Sequence, residues 1–121
     1  MILLESIHHI SMGSADLART VAFYEGILDF ELVEQSDAHV ILYLDPIALR
    51  FNLVDDYEGR NAHPRESALA FILDVDDFTN AINDLEESEI EILEGPIAIE
   101  GGESLLIQDP DGHFLELFYR E

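Results

Sequence analysis

The spacing of apolar positions in the first half of the chain predicts one strand, one helix and then three strands. Leu17, Val21, Tyr24 and Leu28 fall at i, i+4, i+7 and i+11, so they share one face of a helix. A turn before this helix offers Ser14 or Asp16 as its N-cap. The strands, read from short apolar runs separated by turn-forming residues, are predicted at Ser6–Met12, Phe30–Gln35, Val40–Leu44 and Ile47–Val54.

The second half of the chain repeats this order. An acidic run at 74–77 leads into a helix with Phe78, Ile82 and Leu85 on one face, and its start lies 61 residues after the first if Asp16 is set against Asp77. Strands are predicted at Ala68–Leu73, Glu89–Leu93, Ser104–Gln108 and Phe114–Tyr119, with Gly95-Pro96 and Gly101-Gly102 interrupting the middle.

Two βαβββ modules, at about 5–54 and 67–120, therefore predict one α+β domain that spans residues 1–121. The segment between them, 55–66, is polar and without periodicity, and it predicts a linker. The clearest local signal is the turn Asp109-Pro110-Asp111-Gly112, which has Asp at i, Pro at i+1 and Gly at i+3 of a type I turn.

Charge and composition narrow the possible partners. The chain has 27 acidic residues against 5 arginines, no lysine and a formal net charge of -22, which excludes nucleic acid and anionic membranes as expected partners. Two explanations of the acidity stay open: a solvated surface suited to a salt-rich setting, or attraction of a cationic ligand. Because there is no cysteine, disulfides and thiolate ligands are excluded, and a metal would have to bind His, Asp, Glu or water.

The first residues of the chain do not have the pattern of an export signal, so none is expected. Residues 1–5 lack the basic start and the apolar run that such a signal needs, and no stretch approaches the roughly 18 apolar residues of a membrane span. These features predict a cytoplasmic protein that has no membrane partner.

Motifs at both ends resemble one family. The opening carries His8-His9-Ile10-Ser11-Met12, Asp16-Leu17, Phe23-Tyr24 and Leu28-Asp29-Phe30, and the end carries the run from Asp109 to Leu117, DPDGHFLEL. Together they resemble the vicinal oxygen chelate superfamily of glyoxalases, bleomycin-resistance proteins and dioxygenases, over essentially the whole chain. Asp29 stands where that family commonly has glycine.

The resemblance implies a fold, a ligand and a metal. Each βαβββ module would form half of an open barrel, and paired modules would surround a small-molecule cavity within one chain or across a homodimer. In the family's metal enzymes, His and Glu hold a divalent ion such as Zn, Ni, Mn or Fe, which acts as a Lewis acid. The matching positions here are His9 and Glu116 as metal ligands, with Glu116 also a candidate for a catalytic proton-transfer role.

Two other expected ligand positions do not match. Arg50 or Asn52 stands where a glutamate is usual and Ala70 where a histidine is usual, so these three are predicted to line the ligand pocket instead. Two protein ligands are few for a catalytic metal, and an arginine would repel a cation. The alternatives are that His9 is a pocket or core histidine hydrogen-bonded to Glu116, or that further ligands come from elsewhere, namely His39, His63 or His113.

Two functions from different classes therefore remain open. One is a metal-dependent lyase, isomerase, epimerase or dioxygenase acting on a small oxygenated substrate. The other is a metal-free binding protein like the bleomycin-sequestering branch, for which the acidity of the chain would suit a cationic drug. A phosphate-binding loop, a Gly-x-Ser-x-Gly motif and a His-Glu-x-x-His motif are all missing, which argues against the common nucleotide and hydrolase chemistries.

Overall fold

The computed structural model describes residues 1–59, 63–64 and 66–120. The chain divides into two compact units, Met1–Gly59 and Arg60–Glu121, and each is α+β, as the sequence predicts. The predicted linker at 55–66 lies partly outside the described residues.

The first unit has the predicted order of one strand, one helix and three strands. Its sheet has the order β1-β4-β3-β2, in which β1 is parallel to β4 and the other neighbours are antiparallel. The elements are β1 Ile10–Ser14, α1 Leu17–Tyr24, β2 Glu31–Gln35, β3 His39–Leu44 and β4 Ile47–Leu53.

Helix α1 begins as predicted but ends early. The Asp16 side chain accepts a hydrogen bond from the backbone N–H of Arg19 at 3.1 Å, which is a normal N-cap contact. The helix stops at Tyr24, four residues before Leu28, and the chain then turns through Asp29, whose φ of 62° is left-handed. Glycine is favoured in that conformation and Asp tolerates it better than most residues, which explains the place of Asp29 in the motif.

The core of the first unit lies between α1 and one face of the sheet. Tyr24 is fully buried and its ring lies 4.8 Å from that of Phe51 at the centre of β4. Alternate residues of β3 and β4 point to this core, while the residues between them point to the opposite face. That opposite face carries Arg50 and Asn52.

The second unit repeats the arrangement with the sheet order β5-β8-β7-β6, in which β5 is parallel to β8. Asp77 caps the helix by accepting a hydrogen bond from the N–H of Asn80 at 3.2 Å. Leu105, Ile107 and Leu115 are fully buried. The elements are β5 Ala68–Ile72, α2 Phe78–Glu87, β6 Glu94–Ile99, β7 Gly102–Gln108 and β8 Phe114–Arg120.

Two strand predictions were misplaced. The strand predicted at Glu89–Leu93 is wrong, because Glu89 adopts a φ of 62° and the N–H of Ile90 bonds to the carbonyl of Leu85, which closes the end of α2. Strand β6 lies instead at Glu94–Ile99, where a shift in register around Gly95-Pro96 fits the proline into an edge strand. Strand β1 begins at Ile10 rather than at Ser6.

The turn before β8 has the predicted form. Asp109 is only 5% exposed, and one oxygen of its side chain accepts hydrogen bonds from the N–H groups of Asp111 and His113, each at 2.9 Å. The N–H of Gly112 bonds to the Asp109 carbonyl at 3.0 Å. This turn fixes the start of β8 and hence the position of Glu116, two residues into the strand.

In the described part of the chain, none of the helices has the length and apolar character required to cross a membrane.

Candidate functional site

A cavity of about 650 Å³ lies on the sheet of the second unit, on the face opposite the buried core. Its polar lining is acidic, with Glu66, Glu94 and Glu116 and no described arginine or histidine. The apolar lining comes mainly from the two neighbouring strands β6 and β7. The remaining lining residues are Pro64, Ser67, Ala68, Ile97, Ile99, Ser104 and Leu106.

Glu116 is held in this cavity by a serine that sequence reasoning missed. The hydroxyl of Ser104 on β7 donates a hydrogen bond to Oε1 of Glu116 on β8 at 2.9 Å, and the pair is partly buried. The contact fixes one carboxylate oxygen, and hydrogen bonds of this kind commonly orient a metal-ligating carboxylate. In the sequence, Ser104 is marked only as a polar residue that alternates with apolar Leu105. Its contact with Glu116 depends on the pairing of two strands, which cannot be read from one strand alone.

The pairing register relates the predicted sites of the two units. Glu116 pairs with Ala70 on the parallel strand β5, and Arg50 pairs in the same way with Ser11 on β1. Arg50 is therefore the counterpart of Glu116. His9 lies two residues before Ser11, and Ala68 lies two residues before Ala70. Ala68, which lines the cavity, is therefore the counterpart of His9. Both Ala68 and Ala70 lack a ligand atom, so the second unit has no β5 histidine at either position.

Arg50 and Asn52, predicted to line a pocket, contact each other in the first unit. The Nε–H of Arg50 donates to Oδ1 of Asn52 at 2.9 Å, and both side chains are half-buried. They lie side by side on the face of β4 that is opposite the core. An amide oxygen fixes the guanidinium here without neutralising its charge.

The predicted ligand His9 lies just before β1 and is exposed. Its Nδ1 is 2.8 Å from Nδ1 of His8, and the two rings meet edge to face. His9 is therefore not a core residue of the first unit, while the Glu116 carboxylate accepts its hydrogen bond from Ser104 within the second unit. His9 and Glu116 belong to different units, and their role as shared metal ligands stays a prediction.

The other histidines do not add a ligand set. His39 pairs with Glu34 across the hairpin of the first unit, His63 is exposed, and the backbone N–H of His113 serves the Asp109 turn. Among the described residues there is no group of three or more His, Cys, Asp or Glu side chains arranged to hold a metal ion. Glu116 lies in the cavity of the second unit, and its role as a metal ligand stays a prediction.

Comparison with known families decides the relationship. Residues 6–117 match the model of the Glyoxalase/Bleomycin resistance protein/Dioxygenase superfamily. The chain belongs to this superfamily. The match covers both units of this glyoxalase-superfamily chain, from the residues before β1 to Leu117 on β8, so it includes His9, Arg50 and Glu116.

Curated relatives of this superfamily member are enzymes and a virulence protein. Metallothiol transferase FosB of Staphylococcus epidermidis is 29% identical over 115 residues, which cover 94% of this chain and 81% of that protein. Virulence protein STM3117 of Salmonella typhimurium is 28% identical over 123 residues, which cover 95% of this chain and 84% of that protein.

Solved structures share the fold of the glyoxalase-superfamily chain. The fosfomycin resistance protein FosX of Listeria monocytogenes, in complex with Mn(II) and sulfate, superposes with a TM-score of 0.80 at 19% identity. The alignment covers 98% of this chain and 93% of FosX. The chain therefore has the glyoxalase fold.

Proposed function

We propose that this chain is a metal-dependent enzyme that acts on a small oxygenated molecule, with Glu116 as a metal ligand. The observation that carries the proposal is the carboxylate of Glu116, placed in a cavity and oriented by the Ser104 hydroxyl at 2.9 Å. The name of the FosB relatives, metallothiol transferase, supports a metal enzyme and favours a group transfer over the dioxygenase, lyase and isomerase alternatives.

One residue of the cavity, Glu116, has a side chain suited to a divalent metal. Glu116 offers an oxygen ligand, and His9 stays the predicted second ligand, while water would complete the coordination. The described residues contain no third histidine or carboxylate in a suitable group. A metal bound there would supply Lewis-acid polarisation of substrate oxygens, and the protein would supply the oriented carboxylate and the apolar wall of β6 and β7.

Glu116→Gln is expected to remove the metal. The change keeps the shape of the side chain and its contact with Ser104 but removes the anionic ligand, so metal affinity should fall by at least about 100-fold. Elemental analysis of protein purified without an affinity tag or chelator measures the bound metal, and thermal stability with added Mn, Ni, Zn or Fe gives a second readout.

Glu103→Gln is the matched control, because Glu103 precedes Ser104 on β7, outside the cavity lining, and carries the same change in charge. The native protein and Glu103→Gln should hold the same amount of metal, while His9→Ala should lose it as Glu116→Gln does. Native protein free of metal and unresponsive to added metal would contradict the proposal, and loss in Glu116→Gln alone would exclude His9 as a ligand.

Ser104→Ala is expected to weaken metal binding without abolishing it. The hydroxyl fixes Oε1 of Glu116, and loss of such a contact to a metal-binding carboxylate commonly costs about 10–100-fold in affinity. A metal titration of the apo protein measures the change. An affinity equal to that of the native protein would mean that Glu116 does not depend on Ser104 for its orientation.

A second candidate is metal-free binding of an organic cation. The observation that favours it is the lining of the cavity, with three glutamates, no described basic residue, and alanine where a histidine ligand was expected. A titration with a cationic aromatic compound separates the candidates, because binding to this lining should weaken strongly with salt and should not respond to metals. A small-molecule ligand is common to both candidates, and the homodimer and the cytoplasmic location stay predictions.

A further inference from the structure

An exposed apolar segment precedes the first strand of the first unit. This segment, residues 1–7, is called the arm: it forms no helix or strand, and its backbone makes no hydrogen bond with another described residue. The other large apolar side chains that the described residues expose are at most 56% exposed, whereas those of the arm are 63% exposed or more. The large apolar side chains of the arm are Met1, Ile2, Leu3, Leu4 and Ile7.

The apolar surface of the arm is large enough to indicate a contact. Each leucine or isoleucine side chain carries on the order of 100 Å² of apolar surface, so the arm exposes about 500 Å². A patch of this size on a soluble protein commonly marks an interaction site. Two arms that covered each other would remove about 1,000 Å² from water, and the backbone and the surface beneath would bring the total to the roughly 1,200–2,000 Å² of a stable interface.

The arm and the strand that follows it are nearly uncharged. Residues 1–15 contain one charged side chain, Glu5, although the chain has 27 acidic residues and a net charge of -22. Acidic surfaces of two copies repel each other, so two copies can approach most closely where such side chains are few. An anionic membrane, which could also take up apolar side chains, is repelled by the chain as a whole. These charges favour a second copy of the chain as the partner.

The position of β1 leaves the arm at the side of the sheet. In the order β1-β4-β3-β2, β1 is an edge strand, so the arm continues from an edge and not from the middle of the sheet. The opposite edge strand, β2, carries Glu31 and Glu34 and has a break in register before Glu34. Charges and bulges are features that protect an edge from pairing. β1 has no charged residue and no proline, so this side of the sheet lacks such protection.

We propose that the arm is the contact between two copies of this chain, in which the two arms lie antiparallel across a two-fold axis and cover each other's apolar side chains. A two-fold axis brings the same segment of both copies together in opposite directions. The backbone N–H and C=O groups of residues 1–7, which have no partner among the described residues, then form the ladder of hydrogen bonds between the arms. The inference goes beyond the proposed function and depends on neither a metal nor a substrate.

The acidity of the chain gives this association a characteristic dependence on salt. Two copies with a net charge of -22 each repel one another, while the contact itself is apolar. The Debye length falls from about 10 Å at 0.1 M salt to about 3 Å at 1 M. The dissociation constant of the dimer should therefore fall at least about tenfold between 0.1 and 1 M sodium chloride, whereas a contact held by ion pairs would weaken.

The double variant Leu3→Gln, Leu4→Gln should raise the dissociation constant of the dimer at least about 100-fold, because the dimer loses four buried leucines. Sedimentation equilibrium of the native protein and the variant at 1 M sodium chloride measures the change. Leu44→Gln combined with Leu93→Gln is the matched control: it makes the same two changes at leucines that are each 40% exposed and lie outside the arm. The control should associate as the native protein does.

Hydrogen exchange of the native protein tests where the contact lies. Amides of residues 2–7 should exchange slowly at protein concentrations well above the dissociation constant and fast well below it. Amides at the centre of β3, such as that of Leu42, lie in the core of the unit and should exchange at the same rate at both concentrations.

Three outcomes overturn the inference. The first is a native protein that stays monomeric up to about 1 mM in 1 M sodium chloride. The second is an equal dissociation constant for the arm variant and the control, which would place the contact elsewhere. The third is slow exchange of the arm amides in the monomer, which would mean that another part of the same chain covers the arm. Far-UV circular dichroism checks that both variants are folded, and the exchange experiment needs no variant.

Discussion

Phe51→Ala is expected to destabilise the first unit by about 3–5 kcal/mol, because it removes a fully buried ring from the core. Phe51 occupies the centre of β4, and its ring lies 4.8 Å from that of Tyr24, which is also fully buried. The helix and the sheet are therefore joined at this contact. The same strand holds Arg50 and Asn52 on its opposite face.

Unfolding in urea at constant salt measures the effect, since guanidinium would itself screen the acidic surface. Leu53→Ala is the control on the same strand, at a residue that is 38% exposed, and it should cost about 1 kcal/mol. A Phe51→Ala variant no less stable than Leu53→Ala would mean that the first unit does not depend on this aromatic core.

Gly102→Ala is expected to destabilise the second unit by about 3 kcal/mol through a backbone clash. Gly102 begins β7 and pairs with Arg120, and an added Cβ would overlap the carbonyl oxygen of Tyr119 and lie 2.9 Å from its carbon. Relief would require β7 and β8 to separate at this end. Because Ser104 and Glu116 contact each other across the same pair of strands, metal affinity should fall together with stability.

The neighbouring glycine provides the control. An added Cβ at Gly101 would be 3.9 Å from the nearest heavy atom, so Gly101→Ala meets only the strain of a φ of 88° and should cost about 1 kcal/mol. Urea unfolding of both variants gives the comparison. Equal stability of the two variants would show that β7 and β8 adjust to the extra carbon without cost.

The sequence predicts elements well where one face is buried in a regular pattern. Strands β3 and β4 start and end within a residue of prediction, because Val40, Leu42, Leu49 and Phe51 alternate with more exposed residues. The pattern failed at 89–93, where Ile90 and Ile92 also alternate with polar residues. There the buried Ile90 closes the end of α2 and follows a left-handed residue, and neither fact is visible in a period-two pattern.

For the candidate site, the sequence predicts which face of a strand each residue lies on, but not the contacts between strands. Alternation along β8 places Glu116 opposite the core, and the same reasoning places Arg50 and Asn52 on one face of β4. The contact of Ser104 with Glu116, and Ala68 as the counterpart of His9, both depend on the pairing of strands that are distant in sequence. Such a register is set by tertiary packing, so it could not be read from the chain.

The parallel pair at the edge of each sheet has a consequence for the order of folding. In each unit the first strand pairs with the last one, Ile10 with Leu49 and Ala68 with Phe114. During synthesis, β1 must therefore wait until the helix and two further strands have left the ribosome before its neighbour exists. Closing so long a loop is slow, so the rate of folding of each unit should be limited by this pairing, and the hairpin of β3 and β4 should form first.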